Sequence, residues 1–245
     1  MRRFLAALLV IGSSGYVCAE DDARAVIAKA VTAQGGEAKL SRIRAARSTL
    51  RGTLYDGNRE VPFTSEITLQ LPGQIKIALS LKTAPKAKTI VEVVDGDKGW
   101  IRIDGQVNET DPASLARTRQ QLYLSRVSRL APLLEDKDFE LTTLKETKVE
   151  QRPAAGVRVA SKGQKDIDLY FDKESDLLVK IEYVTKNNQG REVTQEDYFS
   201  NYAAFSGVKL PKKSLSFQEG KKLVEVEITD ARFPESIPAR EFGKP

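Results

Sequence analysis

Apolar and polar residues alternate most regularly between Asp166 and Phe217. Ile167, Leu169 and Phe171 fall on one side of a strand, with Asp166, Asp168, Tyr170 and Asp172 on the other, because strand side chains alternate faces with period two. A second run keeps the phase, setting Leu177, Val179, Ile181 and Tyr183 against Lys180, Glu182 and Lys186. Turn residues lie where hairpins need them, at 172–176 and again at 187–190, since Asn, Asp and Gly tolerate the backbone angles of tight turns. The stretch predicts an antiparallel meander with one oily and one wet face.

The rest of the chain fits the same reading. Asp21-Asp22 opens a helix that stops at Gly35-Gly36, and a shorter helical turn is expected over 37–43. Val26, Ile27, Ala30, Val31, Leu40 and Ile43 give these helices an apolar stripe that needs a sheet to cover. Strand patterns follow at 48–55, 63–71, 75–82, 89–94 and 100–103, separated by turns such as Pro72-Gly73 and 95–99. The pattern changes at Asp111-Pro112, a helix start whose helix is expected to run to about Ala131, where Pro132 ends or kinks it. Leu115, Leu122, Tyr123, Val127, Leu130 and Leu134 share one arc of that helix, and Arg119 and Arg126 fall inside it. A helix placed midway through a meander must cross an end or an open face of the sheet, and this one is apolar enough to cover it. Strands resume at 139–146, 156–160, the 166–217 stretch and 223–229. About ten or eleven strands and two or three helices result, and no glycine-serine linker divides them. A mainly β domain is expected, its long antiparallel sheet curling into a barrel or half-barrel.

Composition changes this picture at the N-terminus. Arg2 and Arg3, the apolar run 4–11 and Val17-Cys18-Ala19 read as a secretory signal peptide cut after Ala19, leaving 20–245 as one exported, periplasmic domain. The leader carries two of the 39 basic residues and none of the 34 acidic ones, so the mature charge falls from +5 to +3. That balance, with Lys and Glu interleaved, argues against a nucleic-acid partner. Cleavage also removes Cys18, the only cysteine, so no disulfide is expected.

The chain contains no histidine. Ser-His-Asp and Cys-His catalysis, thiolate chemistry and the usual zinc sites are excluded for the mature chain, and no phosphate-binding glycine loop occurs. No cofactor is implied. Carboxylate hydrolysis remains conceivable through Asp95 and Asp97 or Asp166 and Asp168, but each pair reads first as solvated turn or surface charge. A calcium site at 95–97 lacks a full ligand loop. Trp100, the only tryptophan, reads as core packing or as cavity lining. Arg119 and Arg126 need a carboxylate, a carbonyl or an anionic ligand, which leaves an internal lid latch and a headgroup contact both open.

The order of elements, the segment from Val94 through Asp95-Gly96-Asp97 to Trp100, and the closing Phe242-Gly243-Lys244-Pro245 resemble the outer-membrane lipoprotein-sorting proteins of the LolA-like superfamily. The resemblance spans nearly all of the mature chain. It implies an unclosed antiparallel half-barrel with a helical lid over an apolar cavity that receives acyl chains. It thereby implies binding of something acylated, and the one-sided sheet with its apolar helix makes the expectation a carrier, not an enzyme, for a lipid or acylated lipoprotein, a monomer with a membrane-bound donor or acceptor. The expected lining is Phe63, Ile67, Leu69, Ile77, Leu79, Trp100, Phe171, Val179 and Ile181 from the sheet. Leu122, Tyr123, Val127 and Leu130 would add the lid. An envelope sensor or scaffold that docks another protein is the alternative, and a carboxylate hydrolase the least favoured.

Overall fold

The computed structural model describes residues 15–83, 86–187 and 189–245. The charged and apolar parts of the expected leader lie outside these residues, as do the side chains around its cleavage point.

Helix α1 (Gly15–Gln34) and the short α2 (Glu37–Leu40) precede six strands: β1 (Ala45–Asp56), β2 (Arg59–Gln70), β3 (Gln74–Leu81), β4 (Lys88–Asp95), β5 (Lys98–Ile103) and β6 (Gln106–Glu109). Helices α3 (Pro112–Val127) and α4 (Ala131–Glu135) interrupt the strands. Seven more follow: β7 (Phe139–Val149), β8 (Arg152–Ser161), β9 (Ile167–Asp172), β10 (Leu178–Lys186), β11 (Glu192–Phe205), β12 (Val208–Gln218) and β13 (Lys221–Arg232). A 3-10 turn, Ala239–Phe242, closes the chain.

All thirteen strands form one antiparallel sheet, more than the expected ten or so, in the order β6-β5-β4-β3-β2-β1-β13-β12-β11-β10-β9-β8-β7. The four-residue β6 is too brief to show as alternation. The two meanders meet where β1 pairs with β13, and β6 and β7 are left as the edges. The sheet is therefore not closed into a barrel. Since α3 and α4 join the two edges, that connection has to travel from one rim of the curved sheet to the other. Register slips in β1, β7, β10 and β12 add the local twist that bends such a sheet.

Two sequence expectations are corrected. Leu178 pairs with Phe171 and Lys180 with Tyr170, so Val179 is the extra residue of a bulge. The buried phase of β10 is then Leu178, Ile181 and Tyr183, and Val179 is only half-buried. The long helix stops at Val127, and Leu130, whose φ of 59° is positive, turns the chain off the helical path before Pro132.

Packing explains which faces are oily. Ala23, Ile27, Ala30 and Val31 of α1 pack on Val157, Val159, Ile167, Leu169 and Phe171 in the largest core. Leu69, Ile75, Val94 and Leu122 form a smaller one beneath α3. On the opposite face, the C-terminal Ile237 and Phe242 cover Val91 and Val93, with Trp100 packed against them. Much of the remaining outer face is laced by ion pairs. Arg158 holds Asp168 at 2.7 Å. Lys180, its side chain 13% exposed, lies between Glu182 and Glu196 and over the rings of Tyr170 and Tyr198. Gly52 is needed where β1 meets β13: a Cβ there would lie 2.2 Å from the Glu225 carbonyl and 2.7 Å from the Phe63 ring.

Candidate functional site

Beneath α3 the inner face is not fully covered, and a cavity of about 660 Å³ remains. This is within the ~300–1,000 Å³ usual for small-molecule sites. Its floor is the middle of the sheet, with Leu50 from β1, Val226 and Ile228 from β13, Phe199 and Tyr202 from β11 and Ile181 from β10. Its roof is the underside of α3 and the turn after it: Gln121, Leu124, Ser125, Ser128 and Arg129. Gln34, Leu40, Ile43 and Phe233 bound one end. Lining residues on β11 run from Gln195 to Tyr202, a span of roughly 20 Å at the strand rise.

Helix α3 is fastened along its length. The Asp111 carboxylate caps it by accepting from the Ala113 and Ser114 amides at 3.0 Å each. Thr118 donates to Glu92 at 2.6 Å, and burial under the helix pushes the Glu92 carboxyl up despite that bond. Arg119 reaches the Gly96 carbonyl at 3.2 Å and pairs with Asp97. Gln120 donates to the Val184 carbonyl at 2.8 Å and accepts from Thr185 at 2.6 Å, which ties α3 to β10. Arg126 pairs with Asp136 and lies 4.9 Å above the Phe139 ring, joining α3 to α4 and β7. Arg129 donates to the Ile43 carbonyl.

Among the described residues one carboxyl and one guanidinium, those of Asp197 and Arg129, line the cavity. The Asp197 carboxyl is pushed up by burial, against hydrogen bonds from Ser216, Gln195 and Tyr183 that favour its charged form. The residue lines the cavity. Arg129 is lowered to about 10 by burial.

Of the expected lining, Ile67 and Ile181 border this cavity. Leu69, Ile77 and Leu122 share the right face but belong to the core under the first half of α3. Tyr123, Val127, Leu130 and Phe171 are packed in the α1 core. Phe63 lies over Gly52 toward the far end of β2, and Leu79 pairs with Ser65 on β3 away from the cavity. Trp100 sits on the outer face under the C-terminal segment, and Val179 is the bulged residue. Arg119 and Arg126 are engaged by Asp97 and Asp136 instead of facing the cavity.

The carboxylate pairs are likewise engaged. Asp95 accepts from Gln74 at 3.0 Å, Asp97 meets Arg119, and Asp166 and Asp168 both face Arg158. Among the described residues no group of three or more His, Cys, Asp or Glu is placed to hold a metal ion, and no helix is long and apolar enough to cross a membrane.

Sequence reasoning missed Arg129, Gln195, Asp197 and Ser216. Gln195, Asp197 and Phe199 do share the inward phase of β11, but a search for apolar lining skips two of those three.

The architecture is an open antiparallel half-barrel whose edge-joining helix roofs a trough. No family model matches the chain, and no curated protein sequence does. Three solved structures share the architecture. A LolA superfamily protein from Nitrosomonas europaea superposes with a TM-score of 0.58 at 10% identity, over 91% of this chain and 97% of that one. A putative outer membrane lipoprotein-sorting protein domain from Vibrio parahaemolyticus gives 0.54 at 12%, over 92% and 97%. A DUF1329 family protein from Desulfovibrio piger gives 0.59 at 10%, over 90% and 97%. The fold is LolA-like, and at these identities the likeness is one of fold.

Proposed function

We propose that this protein is a non-enzymatic carrier that holds an acyl chain of a lipid or lipoprotein in the cavity beneath α3. The observation that carries the reading is the cavity itself, about 660 Å³ over an apolar floor. Its roughly 20 Å length along β11 exceeds half of the ~30 Å hydrocarbon core of a bilayer, so one extended chain of a membrane lipid fits along it. Burying about ten methylenes at about 0.8 kcal/mol each contributes about 8 kcal/mol, a micromolar affinity before ordering costs are subtracted. The likeness to the Vibrio neighbour, a putative outer membrane lipoprotein-sorting protein domain, supports an acylated cargo and a place in the cell envelope. In this reading the working unit is a monomeric 20–245 domain, exported by its leader and exchanging cargo with a membrane-bound donor or acceptor.

Saturable uptake of a fluorescent fatty-acyl probe by purified protein tests the proposal, together with native mass spectrometry of protein purified under mild conditions. Val226→Glu places a charge on the floor at a position that is only half-buried, and is expected to weaken uptake by roughly tenfold or more. Wild-type protein that never carries lipid and shows no saturable uptake would sink the reading.

A further inference from the structure

We infer that Arg129 makes the cavity selective for an anionic amphiphile, seating a phosphate- or carboxylate-bearing headgroup at the Ile43 end while the acyl chain lies along the β11–β13 floor. The inference rests on the acyl-chain reading of the cavity.

Arg129 differs from Arg119 and Arg126 in its partners, and from Arg117, which is exposed and donates to Ser114, in lining the cavity. Arg119 and Arg126 each meet a carboxylate, as do Arg47, Arg51, Arg152 and Arg158 on the sheet. Among the described residues Arg129 has one hydrogen bond, to the Ile43 carbonyl, and no carboxylate partner. A guanidinium carries five N–H donors, so most of its capacity is left for something in the cavity. It is the one cation among the described lining residues. Burial lowers it to about 10, which leaves it charged at neutral pH and lacking a counter-charge. A headgroup phosphate or carboxylate would supply that charge, with the bidentate geometry that suits arginine.

The surroundings give the site a direction. Ser125 lies one turn before Arg129 and Ser128 beside it, so the roof is polar where the cation sits. The floor below, at Phe199, Leu50, Val226 and Ile228, is apolar. Asp197, the one carboxyl among the described lining residues, is in register with Ser216, which pairs with Val224, whereas Ile43 precedes the Arg47–Arg232 pair near the other end of β13. An anionic head is therefore attracted to one end and, wherever Asp197 is ionised, repelled from the other. Chain and head are held in one orientation.

The test is competition against a bound fluorescent acyl probe by single-chain amphiphiles of equal chain length: lysophosphatidylglycerol, lysophosphatidylcholine and a monoacylglycerol. Wild-type protein should prefer the anionic lipid to the neutral glyceride by roughly tenfold or more, the scale of a charge-assisted hydrogen bond. Arg129→Gln should erase that preference, lowering lysophosphatidylglycerol affinity several-fold more than monoacylglycerol affinity, and Arg129→Lys should keep most of it. Equal affinity for all three heads, or a loss in R129Q that is the same for all three, would overturn the inference. If R129Q does not fold, the headgroup series on wild type and R129K decides. Inorganic phosphate that displaces the probe as well as lysophosphatidylglycerol does would identify a free-anion site and overturn the lipid assignment. Failure of every amphiphile and of the probe to bind would instead bring down the acyl-chain reading beneath it.

Discussion

Asp197 shows how one residue sets a property of the cavity. Burial pushes its carboxyl up, so the folded protein holds that proton more tightly than the unfolded chain does. Its contribution to stability is fully present below the ordinary carboxylate range and is lost as pH rises through the raised folded value. Asp197→Asn removes the charge while keeping the shape. Relative to wild type, the variant should gain stability at pH 8 and show no gain at pH 4, as read by thermal unfolding across that range. A wild-type advantage that grows with pH would contradict the assignment. The residue also marks a limit of sequence reading. Asp197 sits on the inward phase between Gln195 and Phe199, and alternation alone gives the phase of a strand without saying which polar residue is enclosed. Arg129 escaped for a related reason. It lies beyond the regular part of α3, in the turn set by Leu130, where helical arcs no longer indicate direction.

At the scale of elements, α3 is the part whose position matters most, and its fastenings are individually modest. Asp111 supplies the cap, and hydrogen bonds from the Ser114 side chain and amide hold its carboxyl below the usual range. Asp111→Ala should lower the thermal unfolding midpoint modestly, as cap losses generally do. Arg126→Ala removes the tie to Asp136 and the stacking over Phe139, and should speed proteolytic cleavage within 128–138 before global unfolding. Unchanged cleavage kinetics would show that the helix is held by its apolar contacts alone. Legibility followed the same boundary. The Asp111-Pro112 start, the Gly35-Gly36 stop and the inward phase of β9 could all be read from the chain, because caps, breakers and period-two alternation are local. The bulge at Val179 and the break at Leu130 could not, since each depends on what a strand or helix meets across the fold. For the same reason alternation and helical arc alone place Phe171 and Val127 at the cavity: they are on the oily face, but α1 packs against that part of it.

For the whole molecule, topology makes the helix a roof. The strand order leaves β6 and β7 as the two edges, and the only chain joining them is the α3–α4 segment. A helix connecting opposite rims of a curved sheet must span its mouth. Enlarging the mouth then requires movement of this one segment and no rupture of the strand ladder. Gln120 and Thr185 are in direct side-chain contact between α3 and β10, at 2.6 Å, and they are the natural place to hold the roof down. The chain from residue 20 onward has no native cysteine, since Cys18 is the only one in the sequence, so Gln120→Cys with Thr185→Cys gives a unique pair for a short bismaleimide. Cross-linking after loading with an acyl probe should trap it, slowing exchange with free probe several-fold relative to the uncross-linked double variant. The same cross-link made on empty protein should slow uptake to a similar degree, because entry and exit share the mouth. Exchange that is indifferent to the cross-link would mean that cargo passes through the open ends of the trough past the Ile43 or Gln195 side, and α3 would then be a fixed roof.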